Sequence, residues 1–323
     1  MTGTRRLAAI DIGTVTTRLL VADVGPDMID EVVRSTDITH LGEGLTATGR
    51  LSEAAMGRVA SVIARYAKII SESDVEALTA LATSASRDAE NGAEFRAMLA
   101  AHGVEPTIIA GDREAQLAFA GATFGLQGEG LLAVDLGGGS TELVLGTVAL
   151  EDGTRVRRID SARSVDVGSK RVTEMFLHSD PPTPAELEMA RAWVVDELRP
   201  YFDGLRTKPR VMLALAGTAT TLAAIKLEMA EYDASVVHGS CLTGPDLSEL
   251  LGMLAELTVE QRKHVIGLDP GRAPVIVAGA LILECVVGLA GLDSAVVSDH
   301  DILYGILLDT YRDLRERDSG TGE

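Results

Sequence analysis

The sequence predicts an α/β protein of two related lobes, and three observations carry that prediction. At 323 residues the chain exceeds the size at which one core keeps growing, so two domains are expected. The segment AIDIGTVTTRLLVADV from Ala9 recurs without a gap 124 residues later as AVDLGGGSTELVLG. Asp11 then falls on Asp135, Gly13 on Gly137, Thr16 on Ser140, Thr17 on Thr141 and Leu19 on Leu143. Behind each copy, strand-like and helix-like stretches alternate.

Each copy reads as an apolar strand, an Asp-x-Gly, a small-residue turn and a second apolar strand, the pattern of a β-hairpin. Behind the first, LSEAAMGRVASVIARYAKIISES sets Ala55, Val59, Val62, Ile63, Tyr66 and Ile69 on one helical face, with Ser52 as N-cap. VEALTALATSASRDA predicts a strand over 75–82 ending in a polar turn, followed by a helix to His102. VEPTIIAGDREAQLAFAGATFG predicts a strand, a turn and a third helix. The second half repeats this logic with a hairpin sheet over 131–167 and a helix around KRVTEMFL. The next helix is TPAELEMARAWVVDELRPYF, with Thr183, Pro184 and Glu186 in capping-box positions. RVMLALAG is a strand that feeds the helix TATTLAAIKLEM, Thr258 and Gln261 mark another capping box, and SDHDILYGILLDTYRDLRERD is a closing helix. The terminal SGTGE is expected to fray. No linker is rich in Pro, Gly or Ser, so the lobes are expected to meet at a hinge near 122–130.

A hydrophobic content of 46% supports well-filled cores, and the 33 glycines are dispersed along the chain. A net charge of −19 and 3% aromatic residues argue against nucleic acid as a partner. A polyanionic substrate fits only where a metal ion or an arginine cluster inverts the charge locally. Cys241 and Cys285 have no zinc spacing and no disulfide framework, which suits a reducing compartment. The apolar run behind MTGTRR is too short for a signal peptide. APVIVAGALILECVVGLAGL, interrupted by Glu284, reads as a buried helix and not a membrane span. A cytoplasmic protein with no membrane partner is expected.

Phosphate is the ligand that two such hairpins reward. Gly13 and Thr14 in one copy, and Gly137, Gly138 and Gly139 in the other, let backbone N–H groups approach an anion, and the hydroxyls of Ser140 and Thr141 add donors. Asp11 and Asp135, at the strand ends, suit a divalent metal held against phosphate oxygens. Gly217 and Thr218 stand where a strand becomes a helix, which is either an anion site or close strand–helix packing. Glu114, at the start of a helix, is either a water-activating base or a favourable charge at a helix N-terminus. Glu142 stands where the first copy has Arg18; a metal ligand and an ordinary strand residue are its two readings. The six histidines show no metal spacing, and His300-Asp301 alone is half a metal motif.

Taken in order, AIDIGTVTTRLLVADV, LATSASRDAENGAEF, IIAGDREAQLAFAGA, VDLGGGSTELVLG, SVDVGSKRVTEMFLHSDPPT, ALAGTATTLAAI and RAPVIVAGALILE resemble the exopolyphosphatase and guanosine pentaphosphate phosphohydrolase family, within the superfamily of actin, sugar kinases and chaperone ATPases. The resemblance covers nearly the whole chain. It implies two actin-like (ribonuclease H-like) lobes, 1–125 and 126–300, with a cleft between them and the C-terminal helix 301–318 completing the first. It further implies metal-dependent hydrolysis of the terminal phosphate of inorganic polyphosphate or guanosine pentaphosphate, with Mg2+ as cofactor and a homodimer as a family assembly. By position, Glu114 matches the catalytic base, Asp135 and Glu142 match magnesium-associated acids, Gly137 to Thr141 match the phosphate loop, and Arg87 and Arg171 match basic positions facing the phosphate chain. The chain departs from the family at GTVT, where Val15 replaces an asparagine, and it lacks the helical C-terminal domains of longer members, which favours short chains or nucleotides. A non-catalytic alarmone sensor and a sugar or acetate kinase are the competing functions.

Overall fold

The computed structural model of the chain describes residues 3–151 and 154–320. They divide into two units, one holding the chain up to Gly125 and from Asp301 onward, the other Leu126–His300.

In the first unit, β1 (Arg5–Ile12), β2 (Thr16–Gly25) and β3 (Met28–Ile38) form an antiparallel meander. After α1 (Leu45–Thr48) and α2 (Glu53–Ser71) come β4 (Ala77–Ala82), α3 (Ser84–Asp88), α4 (Gly92–Ala100), β5 (Thr107–Ile108) and α5 (Gly111–Ala122). The sheet order is β3-β2-β1-β4-β5, with β4 parallel to β1 and β5 parallel to β4. β1 reads as a continuous apolar run because both of its faces are covered. Ala8, Ile10 and Ile12 pack with Val59, Ile63 and Tyr66 of α2, while Leu7 and Ala9 pack with Leu303, Ile306 and Leu307 of the C-terminal helix.

Ser52 caps α2 as expected, accepting from the Ala55 amide. The polar turn expected after β4 contains a short helix, α3, ahead of α4, the helix expected to run to His102. Between them Asn91, buried, exchanges two hydrogen bonds with the Leu51 backbone, at 2.9 and 3.0 Å. β3 was not foreseen: it is an edge strand paired only with β2, and its apolar residues Met28, Ile29, Val32 and Val33 come in adjacent pairs broken by charges, without the alternation that marks a strand.

α5 and the C-terminal helix cross through reciprocal glycines. A Cβ on Gly121 would lie 2.7 Å from the Asp301 carbonyl carbon, and one on Gly305 would lie 2.6 Å from that of Leu117. Two bare backbones in contact fix the axis of α5, and with it the position of Glu114 in its first turn.

The second unit opens with β6 (Gly128–Leu136), β7 (Thr141–Glu151) and β8 (Thr154–Val165), followed by α6 (Ser169–Phe176), α7 (Pro184–Asp203), β9 (Val211–Leu215) and α8 (Ala216–Lys226). Then come α9 (Ala234–Val237), β10 (Cys241–Thr243), α10 (Gly244–Glu256), α11 (Val259–Arg262), a 3-10 turn Pro270–Arg272, α12 (Ile276–Ala290) and β11 (Ser294–Val297). The C-terminal helix, α13 (Ile302–Gly320), belongs to the first unit. Ser319 and Gly320 of the terminal SGTGE are helical; Thr321–Glu323 lie outside the described residues.

The second sheet has the order β10-β11-β9-β6-β7-β8. Read from β8 inward, its first five strands repeat the order of the first sheet, and β10 adds an antiparallel edge. These are the two mixed, ribonuclease H-like sheets of the expected α/β fold. α12 is buried nearly all round, as its composition predicted. No helix among the described residues is long and apolar enough to cross a membrane. The capping boxes at Thr183/Glu186 and Thr258/Gln261 form as read, and Thr243/Asp246 adds a third. Each such cap satisfies orphan helix amides and is worth about 1 kcal/mol.

Candidate active site

The turn between β1 and β2 closes with a hydrogen bond from Gly13 N–H to the Thr16 carbonyl, at 2.9 Å. The turn between β6 and β7 closes with the bond at the same place in the repeat, Gly137 N–H to the Ser140 carbonyl at 3.0 Å. In both, the loop carbonyls are held from behind.

In the first unit the amides of Thr39 and His40 donate to Val15 and that of Gly42 donates to Thr14, each at 2.9 Å. Arg58 of α2 fixes that backing segment by donating to the carbonyls of Thr39 and His40, at 2.7 and 3.1 Å. In the second unit the start of α6 does the same work. Ser169 N–H donates to Gly137 at 3.0 Å, those of Lys170 and Arg171 donate to Gly138 at 2.9 and 3.1 Å, and Arg171 Nε donates to Gly139 at 2.9 Å.

A Cβ on Gly168 would lie 2.5 Å from the carbonyl carbons of Gly138 and Gly139. This is why the loop is bare backbone on both sides. With the carbonyls occupied, the amides of Thr14 and Val15, and of Gly138, Gly139 and Ser140, meet no backbone acceptor among the described residues. Successive open amides of this kind make an anion nest. Val15 serves through its carbonyl, so the loss of an asparagine there leaves the loop's backbone scaffold intact. Thr141 is fully buried and spends its hydroxyl proton on the Val167 carbonyl, at 2.5 Å, leaving Ser140 as the loop hydroxyl without such a bond.

The charged residues split by unit. In the first, Glu114 is 7% exposed, and Arg87, at the end of α3, donates from Nη1 to Glu114 Oε2 at 3.3 Å and to the Ile109 carbonyl at 3.1 Å. The expected base and the expected phosphate-facing arginine are therefore in contact, although 27 residues apart. Arg113, next to the base, is drawn away to Asp309 of α13. Asp11 is paired within its own hairpin. Its Oδ2 accepts from Arg18 Nε and Nη2 at 3.0 and 2.6 Å, and its Oδ1 is buried without a hydrogen-bond partner. Burial pushes the Asp11 carboxyl above its ordinary range, against the pull of Arg18.

In the second unit, Asp135 and Glu142 stand directly opposite each other across β6 and β7, 7% and 2% exposed. Directly paired like charges repel unless each is compensated by its surroundings. Ser164 of β8 donates to Glu142 Oε1 at 2.7 Å. No cluster of three or more His, Cys, Asp or Glu suited to a metal occurs among the described residues. Two neighbouring carboxylates are a donor set that suits Mg2+, which keeps much of its hydration, better than an ion that needs a full protein cage.

Gly217 and Thr218 lie in the first turn of α8 and are closely approached. Any Cβ on Gly217 would overlap the Arg272 guanidinium, and Thr218 Oγ1 and Cγ2 lie 2.7 Å from where a Gly279 Cβ would stand. Arg272 itself was missed. It opens the quoted RAPVIVAGALILE segment, but nothing local marked it as the cation over that helix end. Asp301 was noted only as half a metal motif; it pairs with Arg18 and accepts from the Leu303 amide at 2.9 Å. His238 and His300 stack with ring centroids 4.2 Å apart.

The model of the Ppx/GppA phosphatase family matches residues 20–311. Exopolyphosphatase 2 of Mycobacterium tuberculosis is 41% identical, covering 94% of this chain and 98% of that protein. The crystal structure of the Aquifex aeolicus Ppx/GppA family member is 31% identical with a TM-score of 0.79, covering 97% of this chain and 99% of that one. An exopolyphosphatase from Cytophaga hutchinsonii is 26% identical with a TM-score of 0.86, covering 96% and 98%. With its repeated phosphate-type loops and its full-length likeness to these proteins, the chain belongs to the Ppx/GppA phosphatase family and is a hydrolase.

Proposed function

We propose that this protein is an exopolyphosphatase, the activity named for its M. tuberculosis and C. hutchinsonii relatives. The observation that carries the reading is the twice-built loop, whose carbonyls are held from behind and whose amides stay open to oxyanions.

Glu114 accepts a proton from water, and the water oxygen attacks the terminal phosphorus in line. The bridging P–O bond breaks, its electron pair leaves with the shortened chain, and orthophosphate is released. Burial with a guanidinium at 3.3 Å keeps the Glu114 carboxylate in one orientation. The loop amides, Arg87 and Arg171 offset charge on the phosphoryl oxygens. Asp135 and Glu142 would hold Mg2+. When bound, that ion supplies charge neutralisation to the phosphate oxygens. The same chemistry applied to guanosine pentaphosphate yields the tetraphosphate, and we include that substrate and a preference for short chains in the proposal. Both cysteines are free thiols, which supports a cytoplasmic site of action.

The test is phosphate release from short polyphosphate, long polyphosphate and guanosine pentaphosphate, with Mg2+ and with chelator. Glu114→Gln is expected to lower kcat by about 10²- to 10⁴-fold while ligand binding persists. Turnover of the variant at the wild-type rate removes Glu114 from its role; tight binding without release by the wild type makes the protein a sensor.

A further inference from the structure

In the first unit, one circuit of hydrogen bonds joins the segment that carries Arg87 to the turn between β1 and β2. On one side of Gly13, the Thr83 amide donates to the Ile12 carbonyl at 3.2 Å, and the amides of Ser86 and Arg87 donate to the Thr83 carbonyl, each at 3.1 Å. On the other side, Gly42 N–H donates to Thr14, Leu45 N–H to Gly42, Gly49 N–H to Leu45 and Glu90 N–H to Gly49, at 2.9, 3.2, 2.8 and 3.0 Å. Residues 83–90 are thus strung between the two neighbours of Gly13.

The second path runs through α1, which buries no residue, and a stretch whose backbone bonds lie at the surface opens easily. The tie beside it is dry. Asn91 is 4% exposed and Leu51 3%; Asn91 Oδ1 accepts from Leu51 N–H, and Asn91 Nδ2 donates to the Leu51 carbonyl. A primary amide offers an acceptor and a donor side by side, which neither a carboxylate nor an aliphatic side chain does. The next residue, Gly92, closes on α3: its Cβ would lie 2.6 Å from the Ser86 carbonyl oxygen. That oxygen belongs to the residue directly before Arg87, so the direction of the guanidinium toward Glu114 and the Ile109 carbonyl follows from where α3 stands.

We propose that Asn91 is a positioning residue for the hydrolysis, holding α3, and through it the Arg87 guanidinium, in a fixed place relative to the first phosphate loop. The inference rests on the reading of Arg87 as a contact of the phosphoryl oxygens given above.

A double-mutant cycle of Asn91→Ala with Arg87→Ala tests this, with kcat and KM for polyphosphate measured on folded protein well below its melting temperature. Asn91→Ala is expected to lower kcat/KM by about 10- to 100-fold when Arg87 is present, and by less than about twofold when Arg87 is alanine. A purely structural role would lower the melting temperature in both backgrounds and leave kcat/KM of the folded protein unchanged. Should Asn91→Ala not fold, Gly92→Ala, which presses on the Ser86 carbonyl from the same segment, goes through the same cycle with the same expectation. Equal losses with and without Arg87, or kcat/KM within about twofold of wild type whatever the melting temperature, overturns the inference and leaves the hydrolase reading standing. An Arg87→Ala protein that turns over at the wild-type rate removes Arg87 from the site, and this inference with it.

Discussion

Replacing Gly168 with alanine would set a methyl carbon 2.5 Å from the carbonyl carbons of Gly138 and Gly139. Non-bonded carbons rest about 3.5–4.0 Å apart, so the loop and the start of α6 must separate by about 1 Å. Gly168 has φ −141°, a conformation open to alanine, so the cost is steric and not torsional. Four bonds of 2.9 to 3.1 Å, from the amides of Ser169, Lys170 and Arg171 and from Arg171 Nε, span this gap and would lengthen together. Overpacking of this kind costs about 1–3 kcal/mol, and a 1 Å misplacement of a positioned group costs about 10²-fold in rate. Urea denaturation and phosphate release on the same preparation measure the two effects. Gly57→Ala is the control: that glycine lies within α2 with nothing within 4 Å of its Cβ position, and alanine there should stabilise by about 0.4–1 kcal/mol without changing turnover. A Gly168→Ala protein with unchanged stability and kcat within twofold of wild type would refute the backbone-on-backbone account of the loop.

The crossing of α5 and α13 predicts that Gly121→Ala and Gly305→Ala each destabilise the protein by about 3 kcal/mol or more, read as a fall in melting temperature; an unchanged melting temperature would show that the helices are free to part. Glu186 gives a pH prediction. Hydrogen bonds, first from the Thr183 amide and then from Thr183 and Ser179, hold its carboxyl at about 2, down from an ordinary 4.5. A lowered native pKa means that the unfolded chain binds the extra proton. Its contribution is therefore complete above pH 4.5 and is lost as pH falls toward about 2. Glu186→Gln should flatten the stability curve in that window and leave its slope above pH 6 unchanged.

Much of the fold was legible because it is local. The two hairpins follow from an aligned repeat, and the caps at Ser52, Thr183 and Thr258 from a hydroxyl set beside its own helix. α12 announced itself as an apolar run. What stayed hidden was either short or without a strand pattern: β10 and β11 have three and four residues, and the apolar residues of the edge strand β3 fall in adjacent pairs and do not alternate. For the site, the residue types were readable and the pairings were not. The sequence alone determined that Asp11, Glu114, Asp135 and Glu142 sit where strands or helices begin or end, because turn chemistry and apolar periodicity are written within a few residues. Only the tertiary structure decided that Arg18 is committed to Asp11 and Asp301, that Arg87 holds Glu114, and that Gly168 is bare because another backbone lies on it. Apart from the hairpin pair Arg18–Asp11, 7 residues apart, such contacts span 27 to 283 residues, and a charge or a missing Cβ carries no mark of its partner until the packing of whole elements brings the two together.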